Sequence, residues 1–178
     1  RPGRVAARRS MADRLARPST QAGDIAERHD AIAWFLDDAD LRDAIRAALK
    51  AAPDLERARG RLRLGRGGPR DLAAIAEALK QGETIAADVA RRRAKPPAAL
   101  ARAIDALTLT NAPDLGAYAA DLSTALAGDL PALARDGGFI AAGWDAALDE
   151  ARALREDSRK VIAALQQSYS EQTGIAAV

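Results

Sequence analysis

The chain has 178 residues, enough for one helical domain or two small subdomains with a core, and 46 of them are alanine. Alanine has the highest helix propensity, and the chain contains only two Trp, two Tyr and two Phe. This composition favours packed helices over sheets. The absence of cysteine excludes disulfides, thiolate nucleophiles and Cys-based metal sites. No apolar run approaches the roughly 18 residues that a bilayer span requires, so we expect a soluble, cytoplasmic protein.

The formal net charge is only +2, but the charges are unevenly distributed. Residues 1–100 contain 21 Lys and Arg against 14 Asp and Glu, whereas residues 101–178 contain 6 against 11. This asymmetry fits either a basic face near an anionic partner or two solvated surfaces. The chain starts at Arg1 and its first methionine is Met11, from which we expect a fragment boundary at the N-terminus.

Proline, glycine and capping residues divide the chain into segments whose apolar residues have helical spacing. The predicted helices cover residues 24–36, 40–52, 54–64, 69–92, 98–107 and 115–126, with a short turn near 130–134. Asp40 is the predicted cap of the second of these helices, and Asp54 is predicted to open the third. Trp34, Phe35 and Phe139 are predicted to anchor the core. No segment alternates with a period of two for long enough to predict a strand.

The segment from Trp144 to about Thr173 contains neither proline nor glycine and predicts one helix of about 30 residues. At 1.5 Å per residue this helix would be roughly 45 Å long. Its residues follow the alternating four-and-three spacing of a coiled-coil seam, so we expect the helix to pack against others. The predicted fold is all-α and multihelical, with a two-subdomain helical core over 1–143 and a long C-terminal helix over 144–178.

No catalytic, cofactor-binding or metal motif can be assembled from the residues. The Gly65–Pro69 stretch lacks the Lys-Ser/Thr of a P-loop, and a turn between two helices explains it more simply. His29 is the single histidine and is best interpreted as a solvated or partly packed helical residue. The acidic residues at positions 37, 38 and 40, and the pair Asp149 and Glu150, are best interpreted as a helix cap and a solvated face. We predict no catalytic, cofactor or metal site.

Arginine is dense in two stretches, as contacts with phosphate groups would require. The first contains Arg61, Arg63, Arg66 and Arg70, and the second covers residues 91–95. Neither stretch has aromatic side chains nearby on which bases could stack, so solvated helix faces are the simpler interpretation. The four arginines named in the first stretch are the candidate DNA contacts, and such contacts would be nonspecific.

Three motif groups follow one another along the chain. The first is Leu15-x-x-Pro18 with Ile25-x-x-Arg28-x-Asp30-Ala31-Ile32. The second is Pro53-Asp54-Leu55-Glu56-Arg57 with Arg61-Leu62 and Gly65-Arg66-Gly67-Gly68-Pro69-Arg70-Asp71-Leu72. The third is Asp136-Gly137-Gly138-Phe139-Ile140 with Gly143-Trp144-Asp145-x-x-Leu148-Asp149, Arg152 and Thr173-Gly174-Ile175. In order and separation these groups resemble the middle of the MutS family of DNA mismatch-repair ATPases.

The resemblance implies a noncatalytic core and lever domain, which joins a DNA-gripping clamp to a distant ATPase. It implies that the parent protein binds ATP and Mg²⁺ elsewhere, acts on mismatched duplex DNA and works with a MutL-like partner. The parent would be a homodimer in the cytoplasm, associated with the nucleoid. The clamp would begin shortly after Thr173-Gly174-Ile175, so we expect the chain to stop near its entry at Val178. The alternative is a self-contained basic helical module that binds nucleic acid nonspecifically.

Overall fold

A computed structural model describes residues 2–92 and 94–174, with side chains from residue 8 onward. These residues form eight α-helices and two short 3₁₀ helices, and they include no β-strand. The α-helices are α1 (Pro2–Ala16), α2 (Ala22–Asp37), α3 (Ala39–Ala51), α4 (Leu55–Arg63), α5 (Pro69–Ala90), α6 (Ala98–Leu107), α7 (Pro113–Ala125) and α8 (Ala146–Thr173). The predicted all-α, multihelical fold with a long C-terminal helix is confirmed.

Several observed helices begin or end one or two residues away from the predicted bounds, and three differences are informative. No helix is predicted before Pro18, but α1 lies there. Its Arg- and Ala-rich sequence favours a helix but presents no apolar face that periodicity could detect. Within the turn predicted near 130–134 the chain bends at residues 132–133, and a 3₁₀ helix follows at Ala134–Asp136. The helix α8 begins two residues later than predicted because Asp145 is its N-cap, whose carboxylate accepts a hydrogen bond from the Leu148 backbone N–H at 2.8 Å.

The chain divides into two compact units, Arg1–Phe139 and Ile140–Val178. In the first unit α5 is central and packs against α3, α4, α6 and α7. The core cluster joins Leu41 and Ile45 of α3 to Ile85 and Val89 of α5, because these apolar residues recur at helical spacing on the facing sides of both helices. This cluster ties the helices before the arginine-dense stretch to the helix that follows it.

Two of the three predicted core anchors lie at the edge of this cluster rather than inside it. Trp34 and Phe35 pack against it, with their ring centroids 5.1 Å apart in an edge-to-face arrangement. Phe139, the third predicted anchor, is half-buried. Trp34 and Phe35 therefore cover a small aliphatic core instead of forming its centre.

The second unit contains α8 and the loop that precedes it. No side chain of α8 is buried, and its apolar residues Leu154, Val161 and Leu165 are each more than half exposed. That this helix packs against other helices stays a prediction.

The start of α3 corrects one predicted cap. The N-cap is Asp38, whose carboxylate accepts a hydrogen bond from the Leu41 backbone N–H at 2.9 Å, and Asp40 lies inside the first turn. Apolar spacing locates a helix only to within a few residues, so it could not choose between the two acids. The predicted role of Asp54 is confirmed, because its carboxylate accepts a hydrogen bond from the Arg57 backbone N–H at 3.0 Å.

We expect Asp38→Ala to lower the free energy of unfolding by about 1 kcal/mol, because it leaves a backbone N–H of the first turn of α3 without its partner. Asp38→Asn keeps an oxygen acceptor at the same place and loses only the partly exposed ion pair with Arg92, so it should cost less than half as much. Urea unfolding followed by circular dichroism measures both values. Equal losses for the two variants would contradict the capping role.

Candidate functional site

The first arginine-dense stretch forms α4 and the turn that leads into α5. Gly65 follows the end of α4 with a φ of 65°, a left-handed conformation that glycine adopts without steric cost. Its backbone N–H donates to the Leu62 carbonyl oxygen at 3.0 Å, and the Arg66 N–H donates to the Arg61 carbonyl oxygen at 2.9 Å. This pair of hydrogen bonds is a Schellman motif, which ends α4 and reverses the chain.

Arg61 holds this turn together through its side chain. Its Nε donates to both carboxylate oxygens of Asp71, at 3.1 and 3.2 Å, and its Nη2 donates to the Arg66 carbonyl oxygen at 2.8 Å. Asp71 also accepts a hydrogen bond from the Gly68 backbone N–H at 2.9 Å. The positive N-terminus of α5 therefore already has its anion, the Asp71 carboxylate, which agrees with the interpretation of this stretch as a turn.

The structure separates the four candidate arginines into two pairs. Arg61 is bound within the turn, and Arg70 Nε donates to the Leu130 carbonyl oxygen at 2.9 Å, a contact across 60 residues of sequence. Arg63 and Arg66 are exposed, and their guanidinium groups form no hydrogen bond or ion pair with any described residue. That the four arginines contact DNA stays a prediction, and only the second pair is available for it without breaking an internal contact.

The second basic stretch is partly neutralised by its own neighbours. Arg91 Nη1 lies 3.1 Å from Asp88 Oδ1, and Arg92 Nε lies 3.5 Å from Asp38 Oδ2. Arg93 lies outside the described residues. The Asp38 carboxylate thus caps α3 and also pairs with Arg92, just after the end of α5. The second basic stretch therefore contributes to the packing of the first unit.

The remaining sites considered in the sequence have ordinary structural surroundings. His29 is exposed on α2. In the part of the chain that the structure describes, no three His, Cys, Asp or Glu side chains are placed to hold a metal ion. The acidic residue Asp149 accepts a hydrogen bond from the Gly143 backbone N–H at 2.6 Å and pairs with Arg152 at 3.1 Å. None of the helices within 2–92 and 94–174 combines the length and apolar character needed to cross a membrane.

Comparison with known proteins identifies the family. The family model of MutS domain III matches residues 6–176. This chain belongs to the MutS domain III family. The motif groups that resemble the MutS family therefore indicated the correct family.

Relatives of this MutS domain III chain are bacterial proteins named DNA mismatch repair protein MutS. Those of Caulobacter sp. (strain K31) and Rhodopseudomonas palustris (strain BisB5) are each 48% identical to it, over 94% and 96% of the chain. That of Azorhizobium caulinodans is 45% identical over 96% of the chain. The aligned residues make up 19%, 18% and 18% of these relatives, so the chain spans about a fifth of their length.

Proposed function

We propose that this chain is the noncatalytic core and lever of a mismatch-repair protein, and that it couples a DNA clamp to an ATPase. The observation that carries the proposal is α8, an unbroken helix of 28 residues, roughly 42 Å long at 1.5 Å per residue. A helix of this length resists bending and can transmit a displacement between distant sites if it moves between discrete packings.

Both ends of α8 are defined by capping residues, which gives the rod a fixed length. Asp145 caps the first turn, and Gly174 ends the helix in a left-handed conformation with φ of 68°, where its N–H donates to the Ser170 carbonyl oxygen at 2.9 Å. The exposed apolar residues along α8 supply a surface for helices of the parent protein.

Hydrogen bonds join the first two turns of α8 to the loop that precedes the helix. Arg152 Nη2 donates to the Ile140 carbonyl oxygen at 2.9 Å, and the same guanidinium pairs with Asp149, which binds the Gly143 backbone N–H. These contacts connect the first two turns of α8 to residues 140–143, so motion of this loop and motion of the N-terminal turns of α8 should be coupled. A lever needs such a stiff base.

Other functions of the parent protein belong, in this proposal, to regions beyond this chain. ATP and Mg²⁺ would bind at the ATPase, and mismatched duplex DNA would be gripped by the clamp and by a separate recognition region. The parent would act as a homodimer with a MutL-like partner in the cytoplasm, near the nucleoid. The alternative of a self-contained nucleic-acid-binding module has less support, because the chain matches one domain of much longer relatives and two of its four candidate arginines are bound internally.

Ser158→Pro tests the lever role in a full-length mismatch-repair protein that contains this chain. Ser158 is near the middle of α8, and proline there removes the backbone hydrogen bond to Leu154 and collides with that carbonyl group. We expect the variant to bind mismatched duplex DNA but to lose at least about tenfold in the rate of ATP-dependent release, equivalent to about 1.4 kcal/mol in the barrier. Stopped-flow fluorescence with labelled DNA measures this rate.

Two further variants separate a broken lever from a misfolded protein. Ser158→Ala keeps the helix and should release DNA at the normal rate. Ser158→Gly should weaken the helix by about 1 kcal/mol relative to the alanine variant and give an intermediate rate. If the proline variant binds mismatched DNA and releases it normally upon ATP addition, the lever proposal is wrong.

A further inference from the structure

Charge around the turn between α4 and α5 is not balanced locally. Residues 57–70 contain six arginines and no acidic residue. The flanking acids are already paired, Glu56 with Arg59 at 3.4 Å and Asp71 with Arg61 at 3.1 Å. Four of the six guanidinium groups therefore have no carboxylate partner among the residues that the structure describes. Such uncompensated charge attracts an anionic partner.

Two of these four arginines, Arg63 and Arg66, lie at the turn itself and are exposed. Arg66 is attached to a rigid base, because its N–H donates to the Arg61 carbonyl oxygen and its own carbonyl oxygen accepts from the Arg61 side chain. A fixed backbone reduces the entropy that is lost when a side chain binds a ligand. The backbone N–H groups of Gly65, Arg66 and Gly68 already donate within the turn, and the exposed guanidinium groups are the charged donors that it offers to an anion.

The chemistry of the turn fits the phosphate backbone of a duplex. Residues 55–70 include no aromatic side chain on which an unpaired base could stack. Exposed guanidinium groups form charge-assisted hydrogen bonds with phosphate oxygens without reading the sequence. We propose that Arg63 and Arg66 form a contact surface for the phosphate backbone of duplex DNA, whereas Arg61 and Arg70 hold the fold. This inference does not depend on the lever role, and its failure would leave that role unaffected.

The 178-residue chain can be tested directly against a fluorescein-labelled duplex by anisotropy, at salt concentrations from about 50 to 200 mM, a range over which phosphate contacts weaken markedly. The test variant is Arg63→Gln with Arg66→Gln. The matched control is Arg155→Gln with Arg159→Gln, which makes the same charge change at exposed residues of α8 that form no ion pair with any described side chain. Circular dichroism should show the same melting temperature for all three proteins.

We expect the unmodified chain to bind duplex DNA with an affinity that falls as salt rises. The Arg63/Arg66 variant should bind more weakly, and the slope of log affinity against log salt should become shallower by about 2, because each phosphate contact contributes about 0.9. The α8 control should change this slope by less than half as much. No binding by the unmodified chain, equal slopes for the test variant and the unmodified chain, or equal losses in variant and control would each overturn the proposal. Tighter binding to a single strand of the same length would do so too, and tighter binding to polyglutamate would indicate an acidic protein partner instead.

Discussion

Leu41→Ala is expected to lower the free energy of unfolding by about 2–5 kcal/mol, the range for a leucine removed from a packed core. Leu41 has no exposed surface and joins α3 to α5 through Ile45, Ile85 and Val89. Alanine at this position would lose the transfer free energy of the missing carbon atoms and leave a cavity. Because this alanine-rich chain has few large side chains, the residues around position 41 cannot move into the cavity and fill it.

Leu49→Ala is the matched control, since Leu49 lies in the same helix but is 55% exposed. It should change stability by about 0.5 kcal/mol or less, as surface substitutions usually do. Urea unfolding followed by circular dichroism gives both values, and an unchanged m-value would show that the denatured state is not altered. A loss below about 1 kcal/mol for Leu41→Ala would contradict this assignment of the core, because cavity-forming leucine substitutions cost at least about twice that.

Gly67→Ala is expected to destabilise the protein by about 1–3 kcal/mol, the usual cost of forcing an extra methyl group into a close contact. A Cβ atom at Gly67 would lie 2.5 Å from Leu62 Cδ2 and 2.9 Å from Leu62 Cα. The leucine side chain could rotate away, but its Cα belongs to the backbone of α4, so the turn itself must open. Opening would weaken the contacts that Arg61 makes with Arg66 and Asp71.

Gly60→Ala tests the same chemical change where space is available. Gly60 lies inside α4, and a Cβ atom there would meet no atom within 4 Å. Alanine should stabilise the helix by about 0.5–1 kcal/mol, because glycine loses more backbone freedom on folding. Thermal and urea unfolding should therefore show shifts of opposite sign for the two alanine variants, and shifts of the same sign would contradict the close packing at Gly67.

The helices could be predicted because their causes are local in sequence. Pro69 suits a first helical turn, Asp54 supplies a cap within three residues, and the lack of proline and glycine over 146–173 permits the long helix. The failures are local as well. The helix α1 has no apolar face to detect, and two acids so close as Asp38 and Asp40 cannot be distinguished as caps by apolar spacing.

The candidate site was only partly predictable from the residues. The density of arginine was visible, but Arg61 and Arg63 have the same chemistry and stand two positions apart. Their different roles depend on what lies nearby in space, since Asp71 reaches Arg61 only when α4 packs against α5. The carbonyl group of Leu130, which holds Arg70, carries no signal in the sequence at all.

By itself, the amino-acid sequence determined the helical class, the long terminal helix and the family, since propensity, capping and motif order are properties of short stretches of chain. Only the tertiary structure decided which guanidinium groups are held and which are available, and which leucine of α3 is buried. The physical reason is that hydrogen-bond partners and burial are set by distances between segments, and those distances exist only after α3, α4 and α7 have packed around α5.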